Sequence, residues 1–148
     1  MFRLLSDLEV ALNELLVACR ESVDHFRDGI ELISEENIAS EFKHFASERE
    51  PFIQMLEQKI RDLGDLPSVP DPDKEDGEML IHHLGAAVSE DYTDKVVQQR
   101  IDAEQRILEI IKQARENDDN NACETLLDNL ERQVNNVIKK LAALTQTV

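Results

Sequence analysis

Apolar residues recur at alternating steps of three and four along four long segments of the chain. This spacing places them on one face of an α-helix, the face that packs into a core. The four rows are Leu8, Leu12, Leu15, Cys19, Val23, Phe26, Ile30 and Ile33; Ile38, Phe42, Phe45, Phe52, Leu56, Ile60 and Leu63; Val97, Ile101, Leu108 and Ile111; and Leu127, Leu130, Val134, Val137, Leu141 and Leu144. The pattern predicts an all-α protein built from four long amphipathic helices.

Residues with capping preferences predict where these helices begin and end. The expected N-terminal caps are Ser6 with Glu9 for the first helix, Ser34 or Asn37 for the second, and Asn121 with Glu124 for the fourth. Gly64 follows the last apolar position of the second helix and predicts its end. Pro51 lies inside that helix, where it removes a backbone hydrogen bond and predicts a bend near residues 47–51.

The lengths of the connections predict the topology of the bundle. The links between helices 1 and 2 and between helices 3 and 4 are short, so each pair forms an antiparallel hairpin. A proline- and aspartate-rich stretch at residues 65–77 and a short predicted helix at 78–88 separate helices 2 and 3. A crossover of that length can return along the bundle, which predicts a single ferritin-like four-helix domain over residues 1–148.

The charge of the chain disfavours some classes of binding partner. The sequence has 32 acidic and 16 basic residues, a formal net charge of −16. Such a surface repels nucleic acid and anionic membranes. No apolar run approaches the roughly 20 residues of a membrane span, and no signal peptide is evident. Cys19 and Cys123 are too few for a disulfide framework, so we expect a reduced, cytoplasmic protein.

Two charged residues interrupt the apolar rows near the middle of the bundle. Arg49 occupies a core position of helix 2, and Glu104 occupies a core position of helix 3. An unpaired buried charge is costly, and the guanidinium fork matches a carboxylate. The sequence therefore predicts a buried Arg49–Glu104 ion pair, joined by Glu21 from the edge of helix 1, that fixes the register of the helices.

A metal centre of iron or manganese is the alternative for the same region. Di-iron bundles of the ferritin type bind metal through inward-facing glutamates and Glu-x-x-His motifs. The candidate ligands are Glu21, His25, Glu48, Glu104 and Glu131. A Glu-x-x-His motif at Glu41 and His44 lies beside the seam of helix 2, helix 4 contains no histidine, and a central arginine repels a metal cation. His82 and His83 lie on the predicted short helix and are expected to pack there rather than to bind metal.

The chain resembles a family of bacterial ferritin-like four-helix bundles that is grouped as a domain of unknown function. The resemblance rests on an A-x-E-R-x-x-F-x-x-x-L pattern and a closing Leu-Gly, carried by Ala46, Glu48, Arg49, Phe52, Leu56, Leu63 and Gly64. A crossover histidine (His82 or His83) and Glu104 follow in the family's order. The chain departs from the family at Arg20-Glu21-Ser22, at Asn135 where a histidine is common, and in having no tryptophan. The resemblance implies the fold and a bacterial cytoplasmic setting linked to stress, and no particular reaction.

Three functional hypotheses follow from these features. The first is a non-catalytic bundle that acts through a protein partner or by self-association. A dimer is expected because Leu16, Val17, Ile53, Ile107 and Ile110 flank the seams and offer apolar surface. The second is a metal carboxylate protein with redox or storage activity. The third is a small-ligand binder that uses a gap beside Pro51.

Overall fold

The computed structural model describes residues 6–68 and 92–145, and within them it contains helices and no strand. The helices are α1 (Asp7–Leu32), α2 (Glu36–Asp62), α3 (Tyr92–Glu116) and α4 (Glu124–Thr145). The prediction of an all-α protein with four long helices is confirmed. The short helix predicted at 78–88, with His82 and His83, lies outside the described residues.

Two of the predicted helix ends have the expected hydrogen bonds. At the start of α1, the backbone N–H of Glu9 donates to the Ser6 hydroxyl at 3.1 Å. At the end of α2, Gly64 has a φ of 92°, in the left-handed region that glycine adopts without steric cost. The N–H groups of Gly64 and Asp65 then donate to the carbonyls of Arg61 and Ile60, as in a Schellman motif.

The other predicted caps are wrong. Helix α2 begins at Glu36 after Glu35, and neither Ser34 nor Asn37 caps it through a side chain. Before α4, Asn121 adopts a left-handed conformation with a φ of 55°. The carboxylate of Asp118 accepts from the backbone N–H groups of Ala122 and Cys123 at 3.0 and 2.8 Å. A carboxylate offers two acceptor oxygens, so one aspartate before the turn replaces the expected asparagine cap.

Helix α2 continues through Pro51 as one unbroken segment. A proline at this position leaves the carbonyl of Ser47 without its helical donor. Both Ser47 and Pro51 are exposed, so water can hydrogen-bond that carbonyl and the helix persists. The bend predicted near residues 47–51 stays a prediction.

The packing of the helix halves defines the direction of each helix. The C-terminal halves of α2 and α3 share one apolar cluster with the N-terminal halves of α1 and α4. Helices α2 and α3 therefore run in the same direction, and α1 and α4 run in the opposite one. Ser68 donates to Asn13 near the start of α1, whereas Thr93 donates to Glu35 beyond the end of α1. The chain thus leaves α2 at one end of the bundle and enters α3 at the other.

The core consists of two apolar clusters, one toward each end of the bundle. The first surrounds Leu15, Leu56, Ile111 and Leu130, and the second is centred on the aromatic rings of Phe26, Phe42 and Phe45. Edge and tilted contacts join these rings, with centroids 5.2 and 5.4 Å from Phe26. Across the described residues, no helix carries an apolar stretch long enough to cross a membrane.

The apolar residues that suggested a dimer surface lie largely within the protomer. Leu16, Ile107 and Ile110 are buried in the first cluster, and Ile53 is half-buried against it. Val17 is half-buried as well. Most of these flanking positions are core residues because the helices pack on two neighbours each, which widens the apolar face beyond a single seam. Val17 and Ile110 also line an open groove on the outside of the bundle, and the expectation of a dimer stays a prediction.

Gly29 gives a direct test of the packing between α1 and α2. A Cβ at this position would lie 2.7 Å from Cδ2 and Cε2 of Phe42, well inside van der Waals contact. We expect Gly29→Ala to destabilise the protein by about 1–2 kcal/mol, because the overpacking outweighs the gain in helix propensity. Urea unfolding measures the change. Ser40→Ala on the exposed side of α2 is the control, and a stabilised Gly29→Ala variant would contradict the packing described.

Candidate functional site

A layer of polar side chains lies between the two apolar clusters. It contains one residue from each helix: Ser22 of α1, Arg49 of α2, Glu104 of α3 and Gln133 of α4. All four are buried, and each falls between a residue of one cluster and a residue of the other along its own helix. The 3.6-residue period of the helices thus carries one polar side chain per helix into the centre of the bundle.

Arg49 and Glu104 form a bidentate ion pair at the centre of this layer. Nη1 of Arg49 donates to Oε2 of Glu104 at 2.9 Å, and Nη2 donates to Oε1 at 2.5 Å. The two side chains are 0% and 1% exposed. Two parallel charge-assisted bonds set the separation and orientation of α2 and α3, which face each other diagonally across the bundle.

Gln133 and Ser22 provide further hydrogen bonds to the pair. Nε of Arg49 donates to Oε1 of Gln133 at 2.6 Å. The guanidinium therefore forms hydrogen bonds with residues of both α3 and α4. The Ser22 hydroxyl donates to Oε2 of Glu104 at 3.4 Å. The residue of α1 that bonds to the pair is therefore Ser22, whereas Glu21, the predicted neighbour, lines a groove on the outside of the bundle.

Burial and the ion pair have opposite effects on the ionisation of Arg49. Removal of water around the guanidinium acts to lower the pKa of Arg49, but the Glu104 carboxylate outweighs it and the pKa is raised. Arg49 therefore remains a cation inside the core. Cys19 is fully buried nearby, and burial raises its pKa to about 12 in spite of the positive charge of Arg49. Cys19 consequently remains a thiol and packs as a small apolar residue.

The predicted metal ligands do not lie together in the structure. Glu104 bonds to Arg49, Glu48 lies 2.6 Å from His44 on the same helix, and Glu131 lies 3.4 Å from Arg115. His25 is half-buried on α1, and Glu21 lines the outer groove. Across residues 6–68 and 92–145, no three histidine, cysteine, aspartate or glutamate side chains converge in a way that could hold a metal ion.

Sequence reasoning missed Gln133. It lies three residues after Leu130 and four before Val137, so helical spacing does place it at the seam of α4. The neighbouring Val134 also fits the apolar row, so the spacing alone does not single out Gln133. An amide is an uncharged group that often lies at the surface, although its oxygen can accept a hydrogen bond from an arginine that already has a carboxylate partner.

Among the residues that the structure describes, open cavities on the outside of the bundle include the following two. The first, here called the α1–α3 groove, has a volume of about 610 Å³ and is lined by Val10, Asn13, Glu14, Glu21, Leu66 and Arg106. The second, here called the α2–α4 cleft, has a volume of about 500 Å³. Its lining includes Glu48, Phe52 and Gln133, so it reaches the polar layer, whereas Pro51 is not among its lining residues.

Comparisons with protein-family models, with curated proteins and with solved structures find no match for this chain. The resemblance of α2 to the bacterial ferritin-like family therefore stays a prediction.

The strength of the central ion pair is measurable by a double-mutant cycle. We expect Arg49→Met and Glu104→Met each to cost about 3–5 kcal/mol, because each leaves one buried charge without its partner. The double variant should return close to wild-type stability, since both charges are then replaced by apolar volume. Urea unfolding measures all four proteins.

The exposed pair of Arg27 and Glu50, with side chains 51% and 47% exposed, is the matched control for this cycle. Its coupling should be about 1 kcal/mol or less, because solvent screens it. Equal couplings for the two pairs would show that the Arg49–Glu104 pair is not buried.

The state of the Cys19 thiol is a second test of the layer. In a Cys123→Ala background, we expect Cys19 to be unreactive toward a thiol reagent at pH 8 and to react fully after urea unfolding. Its raised pKa and burial both act against formation of the thiolate. A control protein lacking both cysteines and carrying Val10→Cys should react without urea, because Val10 is 42% exposed. Rapid labelling of native Cys19 would contradict its position in the core.

Proposed function

We propose that this chain is a non-catalytic, ferritin-like helical bundle that acts through protein contacts, first by pairing with a second copy of itself. The observation that carries the proposal is the filled layer at mid-bundle. In di-iron bundles of the ferritin type, carboxylates and histidines from the four helices meet at that level. Here Arg49, Glu104, Gln133 and Ser22 bond to one another instead.

The path of the chain supports the ferritin-like part of the proposal. Helices α2 and α3 run in the same direction, and every helix packs beside antiparallel neighbours. A bundle of this kind needs one connection that returns along its length, which is the ferritin-like arrangement. The similarity of α2 to the bacterial family supports a bacterial cytoplasmic setting linked to stress. The net charge of −16 disfavours nucleic acid and anionic membranes as partners.

The α1–α3 groove is the surface that we assign to self-association. It exposes Val10 and Leu66, which are 42% and 81% exposed. Arg106 lines the same groove as Glu14 and Glu21, so the groove carries both signs of charge. Two copies related by a twofold axis can place Arg106 of each against the carboxylates of the other, with the apolar residues between them.

Light scattering tests the pairing. At physiological salt we expect twice the protomer mass, and a smaller dimer fraction at low salt, because two chains of charge −16 repel each other when ions do not screen them. Leu66→Asp should shift the protein toward the monomer. Met55→Asp is the control, since Met55 is 50% exposed and lies outside the groove. A monomer mass for the wild-type protein at every salt concentration would overturn self-association.

Metal analysis separates this proposal from a metal carboxylate protein. Protein purified without chelators should contain substoichiometric iron and manganese, and titration with Fe²⁺ or Mn²⁺ should give no tight site. Tight stoichiometric binding that Glu104→Gln abolishes and Glu131→Gln preserves would place a metal in the central layer and contradict the proposal.

A further inference from the structure

The α2–α4 cleft is a separate feature of the bundle. Helices α2 and α4 are the most loosely packed of the four neighbouring pairs. The cleft opens between them, with Glu48 and Phe52 on the wall formed by α2. The opposite wall consists of Asn129, Arg132, Gln133 and Asn136 of α4.

The residues on the wall formed by α4 share one face of the helix, as core residues do, but their side chains are polar. These residues lie at positions i, i+3, i+4 and i+7, which form one continuous stripe along a helix. Every one of them is an amide or a guanidinium. The apolar row of α4 lies next to this stripe and already fills the core. A stripe of hydrogen-bonding groups facing another helix across a cleft is suited to a polar ligand.

Gln133 provides an independent observation at the floor of the cleft. It is 8% exposed, and Nε of Arg49 donates to its carbonyl oxygen. Arginine is a donor only, so this bond fixes the amide with its oxygen toward Arg49. The amide nitrogen has no hydrogen-bond partner within the described part of the chain. Buried donors are rarely left unpaired, so this nitrogen calls for an acceptor from outside the polar layer.

We propose that the α2–α4 cleft binds a small zwitterion of the α-amino acid class with an apolar side chain. Arg132 and the amide nitrogen of Gln133 bind its carboxylate. Glu48, on the opposite wall, binds its ammonium group. Phe52 packs against its apolar part. One cation and one anion on facing walls match a zwitterion, whereas a simple anion or cation would meet a like charge in the cleft.

Calorimetric titration with phenylalanine tests this site, with two analogues as controls. 3-Phenylpropionate lacks the ammonium group, and phenethylamine lacks the carboxylate. We expect saturable binding of phenylalanine, with each analogue binding at least about tenfold more weakly because it loses one charge-assisted contact. Absence of saturable phenylalanine binding would overturn the proposal. Equal affinity for all three compounds would overturn the assignment of a zwitterion.

Variants locate the site. Arg132→Gln should weaken phenylalanine binding at least about tenfold, and Gln133→Leu should weaken it similarly. Arg132 is exposed, so its replacement leaves the fold intact even if loss of the Arg49 partner makes Gln133→Leu unstable. Arg61→Gln, at an exposed position of α2 outside both the cleft and the α1–α3 groove, should leave the affinity unchanged. Binding that persists in Arg132→Gln, or that Arg61→Gln abolishes instead, would contradict a site in the α2–α4 cleft.

Discussion

The desolvation of Arg49 is the constraint on which the rest of the bundle depends. Arg49 is the largest side chain that the described part of the protein buries completely. A guanidinium without water requires partners for its charge and its donors, and those partners have to lie in one plane. Glu104 and Gln133 supply them from α3 and α4. Sliding any one of these helices by a residue would remove a partner, so the layer defines the register of the bundle.

The same layer explains how the core is divided. The aromatic cluster lies on one side of the polar layer, and a cluster dominated by leucine and isoleucine lies on the other. Apolar packing alone tolerates many registers, because aliphatic side chains can exchange partners at similar cost. Replacing both charges by apolar residues is often neutral in stability. The contribution of the pair is therefore specificity of structure, because it holds the helices in one register.

Much of the fold follows from patterns that are local in the sequence. The apolar rows define all four helices, Gly64 ends α2, and two charges at seam positions meet across the bundle because neither can be buried alone. The predictions that failed concern choices among similar residues. Asp118 rather than Asn121 supplies the acceptors before α4, since a side chain five residues away can reach the free N–H groups once the turn has folded.

The candidate sites were harder to predict because they depend on distances between helices. Gln133 lies beside the apolar row of α4. Its hydrogen bond from Arg49 of α2 shows that Gln133 faces the centre of the bundle, and this contact depends on how the two helices pack. The widths of the α1–α3 groove and the α2–α4 cleft depend on helix separations that no single helix encodes. Likewise, Leu16 and Ile110 lie beside the apolar rows of their helices, and packing against a second neighbouring helix buries them.

The most direct test of the central layer is the NMR signal of the Arg49 Nε–H group, observed with and without stoichiometric Mn²⁺. If Arg49 is buried between Glu104 and Gln133 in place of a metal, this proton exchanges slowly with water and its signal keeps its width when Mn²⁺ is added. Rapid exchange would show that the guanidinium is solvated. Selective broadening of the signal by Mn²⁺ would place a metal ion at the centre of the bundle and contradict this account.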